Sequence, residues 1–192
     1  MNINFLHFDN SIKILSVKNT PTISINSGDV IRLSTKSPTI SYGDLVDKPF
    51  KRELCITGPI NITDCHINDI ISVEILNIQL EEKGKMWTSN LLGILKEMNV
   101  NLYIKELPII DNYAVFSNTI RLPIQPMIGT IGVTPSDIEV DCLVPGLYGG
   151  NMDVPSITVG SVVNLVAQVD GGLLALGDVH ATMGLARVSQ LT

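Results

Sequence analysis

Apolar and polar residues alternate along most of this chain, and glycine, proline or asparagine interrupts the alternation at short intervals. A period of two sets successive side chains on opposite faces of an extended segment. In "SIKILSV" (11–17) it places Ile12, Ile14 and Ser16 against Lys13, Leu15 and Val17. "TPTISINSGDVIRLST" (20–35) reads as a strand, an "NSGD" turn and a second strand. Residues 36–51 are polar, contain Pro38 and Pro49, and read as a long surface loop. "CITGPINIT" (55–63) carries a turn signal at Gly58-Pro59. "CHINDIISVEILNIQL" (65–80) alternates through Ile71, Val73, Ile75, Asn77 and Gln79, which favours a strand over a helix. One helix is predicted, over 88–99, capped by Thr88, Ser89 or Asn90 and apolar through Leu91, Leu92, Ile94 and Leu95. In the last third, "VVNLVAQV", a "DGG" turn and "LLALGD" read as strand, turn and returning strand.

The expected fold is therefore mainly β, sandwich- or barrel-like, with one short helix. A doubly wound α/β sheet needs several more amphipathic helices. Residues 1–192 are expected to form one domain, with a possible sub-boundary near 82–100.

Composition narrows the partners. The formal net charge is -6 and the lysines and arginines are scattered, so no electropositive track for nucleic acid is present. No window approaches the roughly 18 continuous apolar residues of a bilayer-crossing helix. The opening "MNINFLHFDNSIKI" lacks the pattern of a signal peptide. Neither nucleic acid nor membrane is an expected partner. Cys55, Cys65 and Cys142 are odd in number and lack paired metal-ligand spacing, which points to reduced thiols and a cytoplasmic setting.

Two stretches hold candidate chemistry. In "GDVHA" (177–181), Asp178 and His180 are two residues apart, a spacing that shares one face of a strand. A carboxylate and an imidazole there suit zinc or another divalent metal, or the carboxylate orients the ring. Asp153 closes the glycine-rich "GLYGGNMD" (146–153) and is the best candidate for a third ligand. The plainer readings are a turn aspartate, a structural histidine, and a β-turn with Asn151 in the left-handed region. The sharper one has the N–H groups of Gly149 and Gly150 facing a cavity as an oxyanion site. His7, His66 and Cys142 are weaker candidates, and Met152 reads as a core filler.

These motifs, with "CITGPI" and "PMIGTIGVTP", resemble the acetamidase/formamidase family, above all in "PGLYGGNMDVPSITVGSVVNLVAQVDGGLLALGDVHATMG". The resemblance implies a β-rich hydrolase that splits short linear amides such as formamide and acetamide into carboxylate and ammonia. It also implies a cytoplasmic oligomer and, for some members, zinc. Gly149, Gly150, Asn151, Asp153, Gly177, Asp178 and His180 stand at the matching motif positions, with Asn151 orienting the amide or holding its loop. Tyr148 stands where the family often has histidine. Leu185 and Arg187 replace an aspartate and a glutamate of the family's "GDGE". The chain is thus expected to be a C-terminally shortened member. Glu74 is then a possible substitute base, and a separate chain a possible source of the missing part. A non-catalytic homologue and a simple binding module are the competing readings.

Overall fold

Ile56, Ile60, Met127 and Ile131 are wholly buried, and all four belong to one six-stranded sheet. The structure, a computed structural model, describes residues 3–41, 51–88 and 103–183. The strands of the sheet are β1 (Ser11–Ile12), β2 (Ile23–Ile25), β3 (Ile56–Ile62), β4 (Met127–Gly132), β5 (Gly149–Asn151) and β6 (Leu174–His180). Their order is β5-β4-β6-β3-β1, and β2 also pairs with β3. All these pairings are antiparallel except that of β2 with β3. Every residue of β4 is buried, as are the first five of β3 and of β6. Continuous rather than alternating burial explains why these strands are rich in aliphatic residues and glycine and show no polar face.

Smaller pairings surround this sheet. Ile3–Leu6 lies parallel to Val30–Leu33, and Ile70–Glu74 lies antiparallel to Val162–Val166. Ile14–Leu15 pairs with Val140–Asp141. Lys83–Thr88, Tyr103–Ile110, Tyr113–Val115 and Arg121–Pro123 form a four-stranded sheet of their own. The sheets are open, and the fold is mainly β as expected. No helix occurs among the described residues, so none there is long and apolar enough to cross a membrane. The helix predicted over 88–99 lies, beyond Thr88, outside the described residues.

Several local expectations need correction. "SIKILSV" breaks at Lys13, so Leu15 and Ser16 are both buried while Ile14 and Val17 are exposed. The cause is at hand: the Lys13 carbonyl accepts from the Cys142 N–H (2.9 Å), and its ammonium meets Glu53 (2.8 Å). Gly58-Pro59 is not a turn but the middle of β3, where Gly58 lies against Ala175 of β6. The "NSGD" turn exists, with Asp29 N–H donating to Asn26 O, but it joins strands that pair elsewhere. Likewise the "DGG" turn joins Val162–Val166 to β6 without pairing them. Part of the supposed 36–51 loop is a strand pair, Thr39–Ser41 with Lys51–Glu53. The alternation of Ile71, Val73 and Ile75 does hold, with Ile71 and Ile75 buried and Ser72 and Glu74 outside.

Candidate metal centre

The glycine-rich loop is built by close backbone approach. Gly149 and Gly150 have φ of 90° and 86°, and a Cβ on either would collide with the Ile131 or Val144 carbonyl oxygen, respectively. These two positions admit only glycine. The Gly149 N–H donates to Gly146 O (3.0 Å), so it is already engaged inside the loop rather than offered to an oxyanion. Gly150 lies opposite Ile131 in the β4–β5 ladder. Asn151 is buried; its Oδ1 accepts from the Thr130 hydroxyl (3.0 Å) and its Nδ2 donates to Leu143 O (3.3 Å). Both ends of the amide hold the loop. Of the two roles expected for Asn151, this geometry serves the second.

That loop delivers Asp153. Its N–H donates to Gly129 O of β4 (2.9 Å). On the other side of β4, Thr130 pairs with Gly177 and Ile128 with Val179, leaving Gly129 and Asp178 facing each other across a gap in the ladder. Asp178 has a φ of 55° and Asp153 a φ of 51°. Aspartate visits this left-handed region more readily than most residues, yet at a cost of about 1–2 kcal/mol. Such backbone outliers concentrate at functional sites. Asp178 and His180 do meet, but through this break and not through regular strand alternation.

The three side chains converge. His180 Nε2 lies 3.4 Å from Asp153 Oδ1 and 3.4 Å from Asp178 Oδ1, and all three donor atoms fall within 4.8 Å of one another. The carboxylates are 8% and 3% exposed and the imidazole 21%. His180 Nε2 is buried and makes no hydrogen bond, although two carboxylate oxygens are near. A buried ring nitrogen in that condition is costly unless something else engages it. A cation does so. Ligand bonds of about 2.1 Å in a tetrahedral shell set neighbouring donors about 3.4 Å apart, the spacing of His180 Nε2 from each carboxylate oxygen. Two oxygens and an imidazole nitrogen fit zinc and other divalent first-row ions.

The other candidates do not join this cluster, which is the one such grouping among the described residues. His7 is paired with Asp9 (3.0 Å) and His66 sits beside Asp69 (3.9 Å), both exposed to solvent. The Tyr148 hydroxyl donates to Val144 O (2.9 Å), and burial raises its pKa. Glu74, exposed at the end of its strand, lines the same groove as Asp178 and His180. That groove encloses about 2100 Å³ and is walled in part by Phe5, Arg32, Ile70 and Met86. Leu185 and Arg187 lie outside the described residues. The sequence reading passed over Gly129, although a glycine inside a strand is a known sign of close approach.

Cys142 is fully buried, its Sγ–H directed at Ile12 O (3.6 Å), and burial pushes its thiol up to about 12. A group with that pKa stays protonated at pH 8 and is a poor nucleophile. Iodoacetamide at pH 8 is therefore expected to label half-buried Cys55 long before Cys142, as peptide mass spectrometry reads out. Equal labelling rates in the folded protein would contradict the buried placement.

No family model matches the sequence, and no curated protein matches it. Solved structures do. An acetamidase from Bacillus halodurans is 34% identical over 94% of this chain and 63% of its own, with a TM-score of 0.85. A predicted acetamidase/formamidase from the thermophile Thermoanaerobacter tengcongensis is 37% identical over 95% and 62%, with a TM-score of 0.86. An acetamidase from Yersinia enterocolitica is 25% identical over 98% and 64%, with a TM-score of 0.80. The chain thus spans less than two thirds of the length of these relatives. Over nearly all of its own length it shares their fold, and the resemblance read from its motifs holds.

Proposed function

From a chain that carries the acetamidase/formamidase fold, we propose a hydrolase of short linear amides, formamide and acetamide first among them. The observation that carries the reading is the convergence of Asp153, Asp178 and His180 at one end of the central sheet. These three residues would hold a divalent cation, zinc by preference, which would supply Lewis acidity toward a carbonyl and lower the pKa of water. The net reaction consumes one water and gives a carboxylate and ammonium. The chain's own residues arrange it. The Thr130–Asn151–Leu143 hydrogen bonds fix the loop that carries Asp153. The groove admits a small amide to the exposed side of His180, while burial of the two carboxylates keeps bulk water from screening their charge. A cytoplasmic setting belongs to this reading, and the three free cysteines support it.

Purified protein loaded with zinc is expected to release ammonia from formamide or acetamide, and His180→Ala to reduce that release to the level of buffer. If folded, loaded protein releases none from either amide, the reading fails for these substrates.

The groove favours a second reading, in which the site is completed by further polypeptide. Exposed Ile3, Phe5, Ile70, Leu76 and Met86 line it, an apolar wall of the kind that polypeptide covers. The relatives carry more chain than the matched part. On this reading a partner chain or another copy covers the groove, and the isolated chain is inactive until it does. Light scattering of the purified protein, with amidase assay of each species, separates the two: an active monomer excludes the second.

A further inference from the structure

β4 contributes no side chain to the cluster, yet it runs directly beneath it. Gly129 is the residue of β4 at that point. Its carbonyl receives the Asp153 N–H at 2.9 Å, and it stands opposite Asp178 at the gap in the β4–β6 ladder. A Cβ built on Gly129 would lie 2.8 Å from Asp153 Oδ1, 2.8 Å from the Asp178 carbonyl oxygen and 2.8 Å from His180 Nε2. Real Cβ contacts essentially never fall below 3.0 Å, so a methyl group there cannot coexist with the three atoms as placed. Two of those atoms are donors of the candidate centre, and the third is the main-chain carbonyl of the residue that bears the remaining one.

We propose that Gly129 is the positioning residue of the cation site: the absence of its side chain is what allows the Asp153, Asp178 and His180 donors to close to ligand spacing. The φ of Gly129 is not in the left-handed region, unlike that of Gly149, so the requirement is for space and not for backbone freedom. This role rests on the reading that the three side chains bind a divalent cation. It adds a residue with no ligand atom of its own, acting through the donors it supports, as groups around a metal commonly do.

The test uses Co²⁺, for its visible absorption, and Zn²⁺ by calorimetry, on the full chain without any substrate. Gly129→Ala is compared with wild type and with Gly84→Ala, where an added Cβ meets nothing within 4 Å. Gly129→Ala is expected to fold, to bind both ions about 10- to 100-fold more weakly, and to show an altered Co²⁺ spectrum, while Gly84→Ala binds as wild type does. Wild-type affinity and spectrum in Gly129→Ala overturn this inference and leave the cation reading standing. Failure of the wild type to bind either ion overturns both. Should Gly129→Ala not fold, Gly129→Ala/His180→Ala is examined for folding alone. Recovery of the fold shows that methyl and imidazole compete for one place. A double variant that also stays unfolded places the clash with the strand itself and overturns the inference.

Discussion

Asp178→Asn is expected to leave the cation-free protein folded and no less stable, while weakening its hold on zinc by more than about 100-fold. Both halves follow from burial. Asp178 is 3% exposed and shares its corner with Asp153, so two carboxylates are held close together out of water. Like charges held this close disfavour each other, a cost that a bound cation would offset. Asparagine keeps the shape, removes one of the two charges, and tolerates a φ of 55°. Alanine would add backbone strain of about 1–2 kcal/mol and confuse the comparison. Melting with and without zinc reads both effects. A ligand at 100 times its Kd stabilises the folded state by about 2.7 kcal/mol, a gain the wild type should show and the variant should lose. A variant that melts well below the wild type in chelator, or that keeps the zinc-dependent gain, contradicts the placement of Asp178 as a ligand.

Gly149→Ala is expected to destabilise the protein by more than about 3 kcal/mol, roughly a 10 °C fall in Tm for a chain of this size. Part is the left-handed backbone, at about 1–2 kcal/mol. The remainder comes from the contact of the new methyl with Ile131 O, which belongs to the β4–β5 ladder and cannot swing aside. The position must move, and β5 with it. Thermal unfolding followed by circular dichroism checks this, with Gly84→Ala as the neutral control. A fall of under 1 kcal/mol would mean that the loop before Asp153 adapts more freely than its contacts imply.

Much of the architecture was legible because side-chain facing is a local property. The alternation around Ile71 separated its two faces correctly, and the aliphatic run of β6 was legible as a strand. Partner choice was not legible, because pairing is decided by contacts far apart in the chain. "NSGD" and "DGG" mark real turns, but the strands they join bond elsewhere, two of them to β3 and to β4. Gly58-Pro59 misled for a related reason: its turn chemistry is overridden by packing against Ala175. At the site, the spacing of Asp178 and His180 and the loop ending in Asp153 pointed to three side chains that do converge. The pattern did not distinguish the jobs of the glycines. Gly149 is required by φ, whereas Gly129 is bare because three atoms from elsewhere crowd it, a fact visible only once β4 lies between β5 and β6.

The gap between Gly129 and Asp178 has a consequence for how the sheet is assembled. Ile128 and Thr130 flank Gly129, so sliding β4 by one residue along β6 would set a branched side chain against Asp178. An ion held by Asp153, Asp178 and His180, as proposed above, would favour only molecules in which the bare position has found its place, and would stabilise no misaligned sheet.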